Sequence, residues 1–197
     1  MSESNIYQLL VNSHEKDDES LFKSIYLEYY PRLIVFSKGY IKQREICEDI
    51  VEDILMKLWD NRGSLTHIKN LKFYLYVSAK NACLNYLASK NRILSQSIEC
   101  SFDFDLGPIT VSPEDTLISE ERIELIQTAI QSLPPKCKAI FILIKEDELK
   151  YAEVAELLNI SIKTIEAQMT IALKKLSLAF EFEFPELVSR TYKKKSI

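Results

Sequence analysis

The chain has 197 residues, with 25 Lys and Arg against 29 Asp and Glu, for a formal net charge of −4. Its 3 Gly and 6 Pro fall well below the roughly 7 % and 5 % of average usage. That is too few for the turns of a sheet-rich fold, so an all-α architecture is expected. Hydrophobic residues at 47 % can fill packed cores and exclude a disordered chain.

From the N-terminus, Ile6, Leu9 and Leu10 fall at helical spacing within 5–11. Leu21, Ile25, Tyr29 and Leu33 predict a helix over 21–40 that Pro31 kinks or divides. Over 45–59, Ile46, Ile50, Ile54 and Leu58 predict a core stripe. Glu45, Glu48, Asp49, Glu52 and Asp53 share a different face by their three- and four-residue spacing, and Met56 and Trp59 continue it. Acids alone ordinarily make a solvated face. Acids beside an exposed tryptophan suit a protein-binding patch with an aromatic anchor.

A helix is predicted next over 71–89. In and just beyond it Phe73, Tyr74, Tyr76 and Tyr86 interleave with Lys72, Lys80, Lys90 and Arg92. Rings beside phosphate-binding cations suit single-stranded DNA, because an unstacked base can lie on a ring. Some of these rings must be core, yet a helix apolar nearly all round cannot bury every one in a small domain. Charge is segregated here. Residues 61–98 hold six bases (Arg62, Lys69, Lys72, Lys80, Lys90, Arg92) and no acid, whereas 99–121 hold seven acids and no base. A polyanion-binding face followed by an acidic linker is the expectation. The linker carries a Gly-Pro pair and Pro113 and marks a domain boundary.

After it, a helix is predicted over 119–132, and Leu133-Pro134-Pro135 restarts another over 136–145 because proline suits a first turn. The stretch YAEVAELLNISIKTIEAQMTIALKKL (151–176) has the layout of a helix-turn-helix. Val154, Ala155 and Leu158 pack, Asn159 tolerates a left-handed turn, Ile160 plugs the corner and Ser161 caps the next helix. Ile165, Met169, Ala172 and Leu176 line its buried side, leaving Lys163, Thr164, Glu166, Ala167, Gln168, Thr170 and Ile171 outward. The plainer alternative is a helical hairpin. With Lys163, Lys174 and Lys175 against Glu166, the outer face is only mildly basic, so this element alone should bind DNA weakly.

In this order the segments resemble the extracytoplasmic-function (ECF) subgroup of bacterial RNA polymerase sigma factors, over about 21–176. The stretches that carry the resemblance are LFKSIYLEYYPRL (21–33), EDIVEDILMKLW (48–59), the helix at 71–87, LPPKCKAIFIL (133–143) and the helix-turn-helix. It implies an initiation factor without catalytic residues or cofactors. Residues 1–93 would bind polymerase and the minus-ten element, 94–118 would be the acidic flexible linker, 119–180 would read the minus-thirty-five element, and 181–197 would be a C-terminal tail. Core RNA polymerase would dock on Glu48, Asp49, Glu52, Asp53, Met56 and Trp59. The minus-ten surface would use Asn61, Arg62 and His67 of the following loop, Lys69, and then Lys72, Tyr76, Lys80, Asn81 and Asn85 of the next helix. Ser161, Lys163, Thr164, Glu166, Ala167, Gln168, Thr170 and Lys174 would meet the minus-thirty-five element as duplex. Partners implied are the core enzyme, promoter DNA as duplex and melted strand, and an anti-sigma factor, in many cases membrane-anchored.

The chain departs from the family pattern in ways that imply weak promoter affinity or a need for a strongly matched promoter. Asn159 replaces a usual Gly, Ile171 stands where an Arg is common, Ala167 replaces a polar residue, and Leu87-Ala88-Ser89 lacks the frequent arginines. The phenylalanines at 180, 182 and 184 and the basic end of the tail are left without a role. A competing expectation is a helix-turn-helix regulator that binds duplex DNA without polymerase. It accounts for 151–176 but not for the acid-free basic helix. Enzymatic chemistry finds no phosphate-cradling Gly loop and only His14 and His67 as imidazoles. Cys47, Cys83, Cys100 and Cys137 form no C-x-x-C pair, which argues against a zinc site or disulfide framework. With no apolar run near the roughly 18 residues of a membrane span and no basic start of a signal peptide, a cytoplasmic location without membrane insertion is expected.

Overall fold

The computed structural model describes residues 18–62, 68, 70–91 and 120–183, and among them the regular structure is helical. The chain divides into two compact units, Met1–Leu106 and Gly107–Ile197. The expected helix at 5–11, the whole acidic linker at 94–118, His67, Lys69, Arg92, Cys100 and the end of the tail lie outside the described residues.

In the first unit, helices α1 (Asp18–Lys38), α2 (Arg44–Asp60) and α3 (Leu71–Asn91) each pack on the other two. The core side of α1 is Leu21, Ile25, Tyr29, Leu33 and Phe36, one row at the spacing of the helical turn. Pro31 does not divide α1, which continues through it. Pro31 is exposed, so the carbonyl its missing N–H leaves unmatched one turn earlier sits on the solvent side. On α2 the buried residues are Cys47, Val51, Ile54, Leu55 and Leu58. The core stripe is therefore rotated from the expected one, with Ile46 and Ile50 only half-buried at its edge. A cysteine and a valine take the buried positions at the start and middle of that stripe. Leu71, Leu75, Tyr76, Ala79 and Cys83 complete the core from α3. The start of α3 is capped by Asn70, whose side-chain oxygen accepts the Phe73 N–H at 3.0 Å.

The second unit holds α4 (Glu120–Gln131), α5 (Pro135–Lys145), α6 (Tyr151–Leu158) and α7 (Ile162–Glu183). Pro134 precedes α5 and Pro135 opens it, as the pre-set φ of proline favours. Every residue from Cys137 to Leu143 is buried, and α7 packs on each of the other three helices of this unit. Even Lys138 is only 5 % exposed, with its ammonium donating to Gln131 Oε1 at 2.7 Å. The turn from α6 to α7 carries Asn159 at φ 53°, ψ 47°. There the Ile160 N–H reaches back to the Ala155 carbonyl at 3.0 Å, closing the helix end as a left-handed residue at that position permits. Ser161 Oγ then accepts the Thr164 N–H at 3.0 Å and caps α7. At the start of α6 the Lys150 N–H is taken by the Glu153 carboxylate at 2.8 Å. The helix that begins at Ile162 runs on to Glu183, past the expected end of the domain.

Candidate docking face and nucleic-acid interfaces

The outer side of α2 holds Glu45, Asp49, Glu52, Asp53 and Met56 exposed, the last at 55 %. Glu48 is half-buried and accepts from Arg44 Nε at 2.6 Å. Trp59 is not the open anchor the sequence suggested. Its ring lies 4.9 Å from that of Phe22 on α1, and the Arg62 guanidinium sits 4.4 Å above its centroid. Both contacts cover part of the indole. The cation–π contact also ties the end of α2 to its anchor.

Sequence reasoning missed an aromatic row beside these acids. Phe22, Tyr26 and Tyr30 follow one another at a spacing of four on α1, Tyr26 and Tyr30 stack at 4.9 Å, and Phe22 bridges to Trp59. Tyr30 donates to Glu52 Oε1 at 3.4 Å. Partial burial, and then the carboxylate of Glu52, raise the Tyr30 hydroxyl above its ordinary pKa. The signal was present in the four-residue spacing of three rings, but it was absorbed into the reading of α1 as a core helix. The result is a two-helix face in which a strip of rings borders a row of carboxylates.

At the end of α2, Asn61 and Arg62 are exposed, yet both act on the helix terminus. Asn61 Nδ2 donates to the Lys57 carbonyl at 2.8 Å, and Arg62 donates to the Trp59 carbonyl at 3.1 Å. Of the expected α3 set, two members are corrected. Tyr76 is fully buried, edge-on to Phe36 at 5.0 Å between centroids, and Lys72 is only 3 % exposed. Both are withdrawn from solvent in this conformation. Asn81 and Asn85 are exposed, Lys80 is half-buried, and Tyr74, 44 % exposed, lies on the same side by its seven- and eleven-residue spacing from them. Lys90 lies 6.0 Å from the Tyr86 centroid. Tyr74 is the ring left accessible beside the asparagines.

The helix-turn-helix has the geometry its spacing predicts. Ile165, Met169, Ala172 and Leu176 are buried, whereas Lys163, Glu166, Ala167, Thr170, Ile171 and Lys174 are exposed. Thr164 and Gln168 are half-buried at the margin. The Ser161 and Thr164 hydroxyls are 2.8 Å apart and the Thr170 hydroxyl donates to the Glu166 carbonyl at 2.8 Å. These hydroxyls serve the helix first. Cys137, whose thiol reaches the Gln168 carbonyl at 3.3 Å, is buried, as are Cys47 and Cys83, and all three are free. Burial raises all three thiols above their ordinary pKa, Cys47 to about 11. That is the behaviour of structural rather than reactive cysteines.

Comparison with known proteins falls on the same two units. A family model described as Sigma-70 region 2 matches residues 25–93, and one described as Sigma-70, region 4 matches residues 123–176. A protein of Escherichia coli named ECF RNA polymerase sigma-E factor is 25 % identical over 176 residues, covering 86 % of this chain and 91 % of that protein. Its namesake in Haemophilus influenzae is 23 % identical over 178 residues, covering 86 % of this chain and 92 % of that protein. Among solved structures, the sigma factor RpoE from Bartonella quintana, crystallised with the anti-sigma factor NepR, is 22 % identical with a TM-score of 0.48. It covers 81 % of this chain and 96 % of that one.

Proposed function

The chain belongs to the ECF group of the sigma-70 family, and we propose that its units divide promoter recognition between one docking face and two DNA surfaces. It is a transcription initiation factor that binds core RNA polymerase and directs it to promoters. Residues 1–93 hold the polymerase, 94–118 form the linker, and 119–180 read the upstream element. Glu48, Asp49, Glu52, Asp53, Met56 and the covered Trp59 form the docking face, framed by Tyr26 and Tyr30. Lys80, Asn81 and Asn85 meet the melted minus-ten strand beside Tyr74. The exposed side of α7 enters the minus-thirty-five duplex. The chain acts without catalytic residues and works in the cytoplasm. Among the described residues no helix is long and apolar enough to cross a membrane. The same family reading carries an anti-sigma factor as inhibitory partner.

The observation that carries this reading is the order of the two matched regions along one chain, each on its own unit. Two weak DNA surfaces on one polymerase act as a bivalent binder with high effective concentration. An acidic free chain meanwhile avoids indiscriminate DNA binding. The test is binding of the labelled full-length protein to core RNA polymerase, with an Asp53→Lys, Met56→Glu variant alongside. Both side chains are exposed, so the variant keeps its fold. Wild-type binding weakened by roughly thirtyfold or more in the variant is expected, from the 2–5 kcal/mol scale of a lost interfacial charge contact. Equal binding by both would overturn the docking face and leave the family role standing.

A further inference from the structure

Resting on the minus-thirty-five assignment above, we propose that α7 reads its duplex mainly through thymine methyl groups, with Ala167, Thr170 and Ile171 as the specificity-determining residues. The outward row of α7 is Lys163, Glu166, Ala167, Thr170 and Ile171, at positions i, i+3, i+4, i+7 and i+8 of one helical face. At about 1.5 Å per residue this row spans roughly 12 Å, close to the width of a B-DNA major groove.

The chemistry on that row is unusual for a base-reading helix. No arginine occurs between Ile162 and Glu183, so the commonest specific contact, a guanidinium on guanine, is absent from α7. The hydroxyls that could replace it are engaged. Thr164 Oγ1 pairs with Ser161 Oγ at 2.8 Å, and Thr170 Oγ1 donates to the Glu166 carbonyl at 2.8 Å. With its hydroxyl hydrogen committed to the backbone, Thr170 has an acceptor oxygen and its methyl left to offer. Gln168, the side chain suited to adenine, is half-buried at the edge of the row. Beside that methyl stand the Ala167 Cβ and the Ile171 side chain, 42 % exposed although large and apolar.

Three adjacent apolar groups on a groove-facing row match the one apolar feature of the major groove, the C5-methyl of thymine. The exposed Glu166 carboxylate beside them accepts hydrogen bonds only, which fits a cytosine amino group and disfavours guanine. The lysines at either end, Lys163 and Lys174, are exposed and can neutralise phosphates, and Lys163, first in the row, can also donate to a guanine edge. The row thus selects an element with consecutive thymines on one strand, and it discriminates by burial rather than by bidentate hydrogen bonding.

Replacing thymine by uracil removes the methyl and leaves every hydrogen-bonding group in place. The experiment selects promoter fragments from a randomised upstream library with core polymerase reconstituted with the full-length chain. Binding is then compared for the selected duplex with thymine or uracil at each upstream position, leaving the melted region unchanged. Loss of about fourfold is expected at each contacted thymine, equivalent to about 0.8 kcal/mol for one buried methyl-sized group. With an Ile171→Ala chain, the uracil penalty should disappear at one position and persist at the others. A selected element whose uracil form binds as tightly as the thymine form at every position overturns the methyl reading and leaves the initiation role standing. Penalties that Ile171→Ala does not alter overturn the assignment of Ile171. Failure to enrich any upstream element with wild-type holoenzyme overturns both readings.

Discussion

The two helices assigned to nucleic acid are built in opposite ways. On α7 the buried side is a single row, Ile165, Met169, Ala172 and Leu176, and the residues read as facing DNA stand outside it, Ile171 among them. On α3 the core takes residues from what composition marks as the binding set, burying Tyr76 and Lys72 while leaving Tyr74, Asn81 and Asn85 outside. A helix that contributes to a three-helix core and also meets a ligand must divide its aromatics between the two. A ring's chemistry does not say which side it joins.

The strongest challenge to that contrast is substitution of the two tyrosines that α3 separates. Tyr76→Ala should destabilise the first unit by about 3–5 kcal/mol, as for other buried aromatics, whereas Tyr74→Ala should stay within about 0.5 kcal/mol. Urea unfolding of each variant decides it. Similar midpoints for both would erase the distinction drawn between the two rings.

A smaller effect sharpens the comparison at the turn before α7. Asn159→Ala should cost the second unit about 1–2 kcal/mol, the penalty for a Cβ-bearing residue without a compensating polar group at φ 53°. Asn159→Gly should be neutral or mildly stabilising. Thermal unfolding of the two variants separates backbone conformation from any side-chain role, since only the first explanation lets Gly rescue.

The last effect, confined to alkaline pH, belongs to the core of the first unit. Burial holds the Cys47 thiol protonated until about pH 11, against 9.0 for an unperturbed thiol. Between those values the unfolded chain has lost a proton that the folded chain retains. Cys47 therefore contributes stability that is fully present below about pH 9 and is lost as pH rises towards 11. A Cys47→Ala chain should show a shallower decline in urea midpoint across that window. An unchanged slope would mean that the thiol does not titrate with unfolding.

These contrasts explain what the residue order disclosed. The helices were legible because low Gly and Pro content leaves long uninterrupted periods, and the turn, the cap and the buried row of the helix-turn-helix were legible, whereas Thr164 and Gln168, expected outside, lie at its half-buried margin. Asn159 and Ser161 have few alternatives in a turn and a cap. The core stripe of α2 was misplaced because Ile46 and Ile50 are more hydrophobic than Cys47 and Val51, yet Ile54 and Leu58 share a helix face with either pair, so spacing alone did not separate the two. On α3 the apolar residues surround the helix, so periodicity could not choose between Tyr74 and Tyr76. The row Phe22–Tyr26–Tyr30 went unread because its partners, Trp59 and Glu52, lie some 20 to 40 positions away in the sequence.

The placement of Trp59 has an optical consequence. It is the one indole in the chain, set against Phe22 and under a guanidinium at the rim of the proposed docking face. Its emission belongs to the first unit alone, and the second unit contributes none. Anything that lifts Arg62 or excludes water from that rim changes the wavelength or yield of a single fluorophore. Occupancy of the proposed docking face and unfolding of the first unit can therefore be followed by light, without attaching a dye, and the second unit holds no indole to add to that signal.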